Sequence, residues 1–271
     1  MTNSQMDTDQ RPNDIRPLAN DAARILGWLI NMGADEIVSE HAVDRFAASA
    51  SVEKQPAKAL ATDILPSRPA ALSHQLTADA ARQAGARNTI GQLAECLNNF
   101  DAQPLRKAAT QLCFFEGNPL SPILILGDRP RTEEDKSGQV FAGKSRELLT
   151  RMLAAINVKI ADVGLMNFVP WRPPGNRAPL ENEISLCLPF AARALELMKP
   201  RLILSFGALG GQYLAGGDGS IIRQRGKWQK VGGGLMMATM HPDELLKLPA
   251  QKRLAWRDLL AFRIEMDEFA P

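Results

Sequence analysis

Cysteines, long apolar runs and tyrosine are scarce in this sequence, and the first two shortages each exclude a class of protein. Three cysteines in 271 residues, Cys96, Cys113 and Cys187, are too few and too scattered for a disulfide framework, so we expect a cytoplasmic protein. No apolar run approaches the roughly 18 residues that cross a bilayer. The first residues are polar and acidic, unlike a signal or transit peptide. A hydrophobic content of 45% is ordinary for a globular protein.

Neither sign of charge dominates the chain, whose net charge is +2. Basic residues nevertheless cluster in two places. Arg223, Arg225 and Lys227 lie within ten residues that contain no acid, and Arg172 and Arg177 lie in a segment rich in proline and glycine. Such clusters either face phosphate groups or belong to a solvated surface, and the sequence leaves both interpretations open.

Residues 1–88 are interpreted as an N-terminal extension to a domain over residues 89–271. Apolar residues at helical spacing predict one amphipathic helix over residues 21–38. The remainder of the extension has little periodicity, and residues 42–86 are expected to be a flexible linker with a transient helix over residues 76–84.

From Thr89 onward, predicted strands and helices alternate. The strands are residues 122–126, 163–169, 201–206 and 235–240, and the helices are residues 144–156, 181–198, a short one ending at 214, and 251–265. This order with short connections predicts an α/β fold: a three-layer α/β/α arrangement around a central, mostly parallel four-stranded sheet.

Polar residues and glycines follow each predicted strand. Gly127 and Asp128 follow the first strand, Asn167 ends the second, Gly207 follows the third and His241 follows the fourth. Each type is also a common turn residue. Because ligands bind beyond the carboxyl ends of parallel strands, their convergence at one sheet edge favours a site there.

One segment matches the sequence pattern of a nucleotide-binding motif but lacks the strand that should precede it. Gly138, Gly143, Lys144 and Ser145 match the pattern G-x-x-x-x-G-K-[ST] of a P-loop. A P-loop leaves a strand directly, whereas the residues before Gly138 are polar and charged. We therefore favour a chance match and keep a P-loop nucleotide-binding protein as a distant alternative.

Four segments together resemble the uracil-DNA glycosylase superfamily, most closely its family 4, the iron–sulfur type. They are GDRPRTEEDKSGQVFAG (127–143), NFVPWRPPGNR (167–177), HPDELL (241–246) and KRLAWRDL (252–259). The corresponding family elements include GEAPG, RPPGNR and HPxxLL in this order. The resemblance extends from about Leu93 to Leu260.

The resemblance implies a pocket for a uracil base that has left the DNA stack, with Gly127 in its wall. Phe141 would stack on the base, and the Asn167 amide would read its edge. His241 would donate a hydrogen bond to uracil O2, and Asp128 would stabilise the cationic sugar and orient water. Read alone, Phe141 is as typical of a core aromatic, Asn167 of a turn amide and His241 of a helix start.

DNA contacts are also implied by the resemblance. Leu245 or Leu246 would press toward the gap that the base leaves. The residues expected to contact phosphates are Arg172, Arg177, Arg223, Arg225 and Lys227. Solvated charges and a buried helix face are the competing interpretations.

The sequence departs from family 4 at the cluster ligands. Members resemble one another in holding a 4Fe–4S cluster with four cysteines, whereas three of the matching positions here are Phe100, Gln103 and Trp171. Only Cys187 matches a ligand position. One thiolate cannot hold a cluster that takes four, so we predict no cluster and no other metal or cofactor.

The second departure lies in the segment that corresponds to GEAPG, which here reads Gly127-Asp-Arg-Pro-Arg131. Asp128 is one methylene shorter than the usual glutamate, and a small misplacement at a reacting centre can cost about a hundredfold in rate. Arg131 replaces a glycine, so its guanidinium either crowds the pocket, pairs with Asp128, or joins Arg129 in holding DNA phosphates.

The sequence therefore predicts a monomeric glycosylase that hydrolyses the N-glycosidic bond of uracil in DNA by base flipping, with uracil-containing DNA as its partner and no membrane association. The alternative is a catalytically impaired paralogue that binds DNA or uracil without turnover.

Overall fold

The computed structural model describes residues 68–102 and 104–268. They belong to one compact unit, Ile64–Pro271. The helix predicted over residues 21–38 and the first part of the predicted linker lie outside the described residues. No helix in the described ranges is long and apolar enough to cross a membrane.

The described residues form a sheet of six strands in the order β1-β3-β2-β4-β6-β5. The strands are β1 (Phe115–Gly117), β2 (Ile123–Gly127), β3 (Gly164–Asn167), β4 (Leu202–Phe206), β5 (Trp228–Val231) and β6 (Gly234–Thr239). The four central strands are the four predicted ones and run parallel. The predicted α/β/α fold is therefore confirmed, with a correction from four strands to six.

The two additional strands lie at the edges and run antiparallel to their neighbours. They are three and four residues long and mostly half-buried or exposed, so they lack the continuous apolar run that marks the central strands. Edge strands that are short and partly polar are hard to distinguish from loops in a sequence.

Helices cover both faces of this sheet. In chain order they are α1 (Arg68–Gly85), α2 (Ile90–Asn99), α3 (Pro104–Ala108), α4 (Thr132–Ser137), α5 (Gly143–Ala154), α6 (Glu181–Met198), α7 (Leu209–Leu214), α8 (Ile221–Gln224), α9 (Pro242–Lys247) and α10 (Lys252–Glu268). Single 3₁₀ turns span Ile160–Asp162, Pro174–Asn176 and Pro249–Gln251.

Side chains of the central strands point alternately to the two faces of the sheet, and they contribute to a hydrophobic core on each face. In β2, Leu124 and Leu126 face the core that contains α1, α2 and α6, while Ile125 faces the core that contains α5 and α10. All three side chains are fully buried. Successive side chains of a strand point to opposite faces, so one apolar run supplies both cores and holds the three layers together.

Helix α1 differs from the expected linker. It is longer than the transient helix predicted over residues 76–84, and it packs against α6. Ala80 and Ala84 are buried at this contact, and the Arg193 guanidinium of α6 donates to the Arg87 carbonyl at 3.0 and 2.9 Å. Small alanines allow close helix approach without a strong apolar stripe, which explains why the sequence pattern was weak.

Candidate active site

A cavity of about 400 Å³ opens at the carboxyl ends of β2, β4 and β6. Its size falls in the usual range for a small-molecule site. The residues that line it include Asp128, Arg129, Arg131, Gly207, Met240, His241 and Glu244. The strand ends that the sequence singled out therefore supply much of the wall of one cavity.

Asp128 is anchored by backbone groups at the start of α7. Its carboxylate accepts hydrogen bonds from the N–H groups of Ala208 at 3.1 Å and Leu209 at 2.9 Å. Gly207 has φ 121°, and a Cβ at that position would overlap the carboxylate. Burial raises the pKa of Asp128 to about 6, although the two N–H donors and the positive charges of Arg129 and Arg131 oppose the rise.

His241 lies at the N-terminal end of α9 and is almost fully buried. Its Nδ1 accepts a hydrogen bond from the Asp243 N–H at 3.2 Å. Burial, and next the positive charge of Arg131, lower the pKa of His241 to about 3, so the imidazole is neutral at physiological pH. Because Nδ1 is an acceptor, the single proton is on Nε2, which is a hydrogen-bond donor.

Phe141 lies directly behind the imidazole of His241. The two rings are stacked with their centroids 5.4 Å apart, and the edge of Phe206 completes the packing at 5.8 Å. Phe141 is fully buried and does not line the cavity. Its backbone has φ 55°, which is uncommon for a bulky residue.

Asn167 ends β3 opposite Gly127 of β2 and is also fully buried. Its Nδ2 donates to the Cys113 carbonyl at 3.1 Å and reaches Glu134 Oε1 at 3.5 Å, whereas Oδ1 has no hydrogen-bond partner. A Cβ at Gly127 would lie 2.4 Å from Asn167 Oδ1 and 3.2 Å from Phe141 Cζ. The missing side chain of Gly127 therefore allows this close approach.

Arg131 forms no ion pair with Asp128 and bridges to α9 instead. Its Nε lies 2.5 Å from Asp243 Oδ2, and its Nη2 lies 3.3 Å from Glu244 Oε1. The hydrogen bonds of Asp128 come instead from backbone N–H groups. Arg131 also lines an adjacent cavity of about 650 Å³, so its side chain stands between the two spaces.

Glu134 of α4 is a site residue that the sequence interpretation missed. Its side chain is almost fully buried and accepts from the N–H groups of Arg131 and Phe141, each at 2.8 Å. Burial raises the pKa of Glu134, against the lowering effect of these hydrogen bonds. The available signal was its position three residues after the helix N-cap Arg131, which is the capping-box spacing.

Three of the basic residues expected to contact DNA form ion pairs with buried acids. Arg177 makes a bidentate pair with Glu183 at 2.7 and 2.6 Å, Arg225 lies 2.6 Å from Asp258, and Arg172 lies 3.6 Å from Asp135. These guanidinium groups therefore hold helices and loops of the domain together, since a buried acid left unpaired is costly.

Other expected DNA contacts lie on the surface. Arg223 and Lys227 are exposed, and Arg223 pairs with Asp218 at 2.9 Å. Of the two leucines, Leu245 is only 1% exposed and belongs to the core around α10, whereas Leu246 is 38% exposed. The choice of Leu245 is corrected on this ground, because a core side chain cannot reach into DNA.

The P-loop match has no P-loop surroundings. Gly138 has φ 73° and ends α4, donating to the Glu134 carbonyl at 2.7 Å, so the segment follows a helix. A nucleotide-binding loop of this type follows a strand. Lys144 is exposed in the first turn of α5 and lines the adjacent cavity of about 650 Å³.

The residues at the expected cluster position do not fit a 4Fe–4S group. Cys187 is fully buried in the same core as Phe100 and Trp171, whose rings offer no ligand atoms. Burial raises the pKa of Cys187, which disfavours the thiolate that binds iron. Cys113 instead donates to the Glu134 carbonyl at 3.2 Å. In the described ranges, no three side chains of the metal-binding types are grouped to hold an ion.

The fold, the segment Gly127-Asp-Arg-Pro-Arg131 at the end of β2 and the His-Pro start of α9 define a class of protein that comparison identifies. The family model described as "Uracil DNA glycosylase superfamily" matches residues 114–260, which include the cavity wall. The chain belongs to this superfamily.

Curated relatives assign the family within it. The chain is 31% identical over 181 residues to the Type-4 uracil-DNA glycosylase of Pyrobaculum aerophilum, covering 64% of this chain and 92% of that relative. It is 33% identical over 159 residues to the protein of the same name from Thermotoga maritima, covering 57% and 82%. For that of Sulfurisphaera tokodaii the identity is 32% over 157 residues, covering 55% and 71%. The chain is a family 4 member, as its sequence motifs indicated.

Proposed function

We propose that this protein is a uracil-DNA glycosylase that hydrolyses the N-glycosidic bond of deoxyuridine in DNA. One observation carries the proposal: a half-buried carboxylate, Asp128, and a neutral imidazole donor, His241, line one cavity at the carboxyl edge of the sheet. The names of the relatives support the same chemistry.

The two groups have complementary tasks in breaking the glycosidic bond. The leaving base acquires negative charge. Because His241 is neutral and carries its proton on Nε2, it can donate a hydrogen bond to uracil O2 and stabilise that charge. The sugar acquires positive charge, which the Asp128 carboxylate stabilises while it orients the attacking water. With a pKa near 6, Asp128 is ionised at neutral pH and is a stronger base than an ordinary aspartate.

Base recognition falls to Asn167 and Phe141. Both are fully buried in the chain without DNA, so a flipped base contacts them only after side chains that cover them move. Arg131 stands between the two cavities at this position, and we expect it to move when DNA binds. Arg129, Arg223 and Lys227 are the cations that we propose for phosphate contact, and Leu246 is the side chain that we propose to fill the gap in the stack.

The alternative is a paralogue that binds uracil-containing DNA without cleaving it. Arg129 and Arg131 favour it, because their guanidinium groups line the cavity where the family motif has small residues. Both functions predict uracil-containing DNA as the partner. We further propose that the protein is cytoplasmic and monomeric. Size-exclusion chromatography of the full chain tests whether it is a monomer.

The experiment that separates the two functions is treatment of a uracil-containing oligonucleotide with the full chain, followed by alkali. Strand scission supports the enzyme, whereas bound but uncut DNA supports the paralogue. Asp128→Asn and His241→Ala are each expected to lower scission at least a hundredfold. Full activity in both variants refutes the site. Arg131→Gly tests whether the arginine slows turnover: if it does, the glycine variant cuts the DNA faster than the wild type.

A further inference from the structure

We infer that Glu134 is a positioning residue that fixes the Asn167 amide in the orientation that accepts uracil and rejects cytosine. The inference deepens the proposed function and rests on it. It starts from the set of bonds around one buried carboxylate: Glu134 contacts the backbone of Arg131, the backbone of Phe141 and the side chain of Asn167.

The amide orientation follows from the groups that surround Asn167. Its Nδ2 faces two acceptors, the Cys113 carbonyl at 3.1 Å and Glu134 Oε1 at 3.5 Å. Rotating the amide by half a turn would bring Oδ1 against both of these oxygens. The present orientation is therefore the stable one, and it leaves Oδ1 as a buried acceptor with no partner.

An acceptor without a partner in a base-reading position discriminates between pyrimidines. The N3 atom of uracil carries a hydrogen and donates, whereas N3 of cytosine is an acceptor. Oδ1 of Asn167 gains a hydrogen bond from uracil and meets a repelling lone pair in cytosine. Sites that depend on a buried polar group reject a ligand that leaves the group unpaired much more strongly than apolar sites do.

Glu134 also holds the backbone of Phe141, the residue whose ring packs beside His241. Its Oε1 accepts the Phe141 N–H at 2.8 Å and so holds a backbone with φ 55° that a bulky residue rarely adopts. Its Oε2 accepts the Arg131 N–H at 2.8 Å. One carboxylate thus joins the amide, the ring and the segment that follows Asp128, and all three of its contacts require acceptor atoms.

The chain supplies a matched control for the test. Glu133 precedes Glu134 in α4, but its side chain is 67% exposed. Glu133→Gln and Glu134→Gln remove the same charge from the same helix. In Glu134→Gln the new amide group can donate to Asn167 Oδ1, so the Asn167 amide is no longer held in one orientation.

The measurement is binding of the full-length protein to single-stranded oligonucleotides that differ in one base, uracil or cytosine. Both nucleotides are 2′-fluoro analogues, in which the fluorine slows loss of the base. We expect Glu134→Gln to lower the preference for uracil over cytosine at least tenfold, and Glu133→Gln to leave it unchanged. Thermal unfolding checks that each variant folds, and Glu134→Asp, which keeps the charge but shortens the reach, is measured if the glutamine variant does not fold.

The outcomes separate the inference from the function on which it rests. If Glu134 only stabilises the fold, both affinities fall together and the preference is unchanged, which overturns the inference while scission by the wild type still supports the enzyme. If the wild type shows neither scission nor a preference for uracil, the proposed function fails and the inference fails with it.

Discussion

Replacing Asp128 by asparagine is expected to stabilise the protein at neutral pH while abolishing its activity. The carboxylate is half-buried at the cavity wall, and its partial removal from water raises its pKa from 3.8 to about 6. This difference of about two units corresponds to about 3 kcal/mol that the folded state loses when the group is ionised. Asparagine removes that cost, but its NH₂ group faces one of the N–H donors of Ala208 or Leu209, which costs about 1 kcal/mol or more.

The sign of the effect depends on pH in a defined way. Below pH 3.8, Asp128 is protonated in both the folded and unfolded states, and its ionisation costs nothing. Between pH 3.8 and about 6 the unfolded state releases the proton first, so the free energy of unfolding falls, and the loss is complete above about pH 6. Asp128→Asn is therefore expected to be about 1–2 kcal/mol more stable than the wild type at pH 7, but not at pH 3.5.

The assay is denaturant unfolding of both proteins at the two pH values, with scission measured in parallel. A gain of this size raises the midpoint of thermal unfolding by about 2–8 °C. Asp162→Asn, which changes an exposed carboxylate in the same way, is the control and should show no such pH dependence. Equal destabilisation of Asp128→Asn at both pH values would show that Asp128 is not strained by burial and would refute the reasoning.

Three further predictions concern the same domain. The scission rate should fall about tenfold per pH unit below about pH 6 as Asp128 is protonated, with no second step from His241 until about pH 3; a rate that is flat from pH 7 to 5 contradicts this. Gly127→Ala should lose about 1–3 kcal/mol of unfolding free energy and its preference for uracil, because the new Cβ meets Asn167 Oδ1, whereas Gly85→Ala, which has open space, should not. Iron and acid-labile sulfide should be far below stoichiometric in the purified protein, and four atoms of each per chain would refute the absence of a cluster.

Most of the fold was predictable because its central strands are buried on both faces. Their apolar runs bounded by glycine, proline and polar residues identify them, and alternation with helices gives the parallel order. The edge strands Phe115–Gly117 and Trp228–Val231 carry no comparable signal. Helix α1 was underestimated because alanine supplies contact area without a distinct apolar stripe.

The candidate site was predictable where residues follow strands, and not where partners decide their roles. The positions of Asp128, Asn167 and His241 come directly from the strand ends. Glu134 lies in the acidic run TEED, in which any single acid has the pattern of a solvated surface residue. Its burial follows from contacts with residues up to 33 positions away, which no local pattern contains. In the same way, nothing near Arg225 indicates that its partner is Asp258.

The pairing of β2 with β3 determines how precisely Asn167 is positioned relative to Gly127 and Asp128. Gly127 and Asn167 are partners in the same parallel ladder, and Gly127 also pairs with Phe206 of β4. The residue that we propose to read the base, Asn167, and the residue just before the proposed catalytic carboxylate, Gly127, are thus joined by the main-chain pairing of a sheet interior, which is among the stiffest elements of a protein. Arg131 and α9 also line the cavity but are not part of the sheet, so we expect adaptation to different DNA shapes to occur there while the Gly127–Asn167 pair keeps its position.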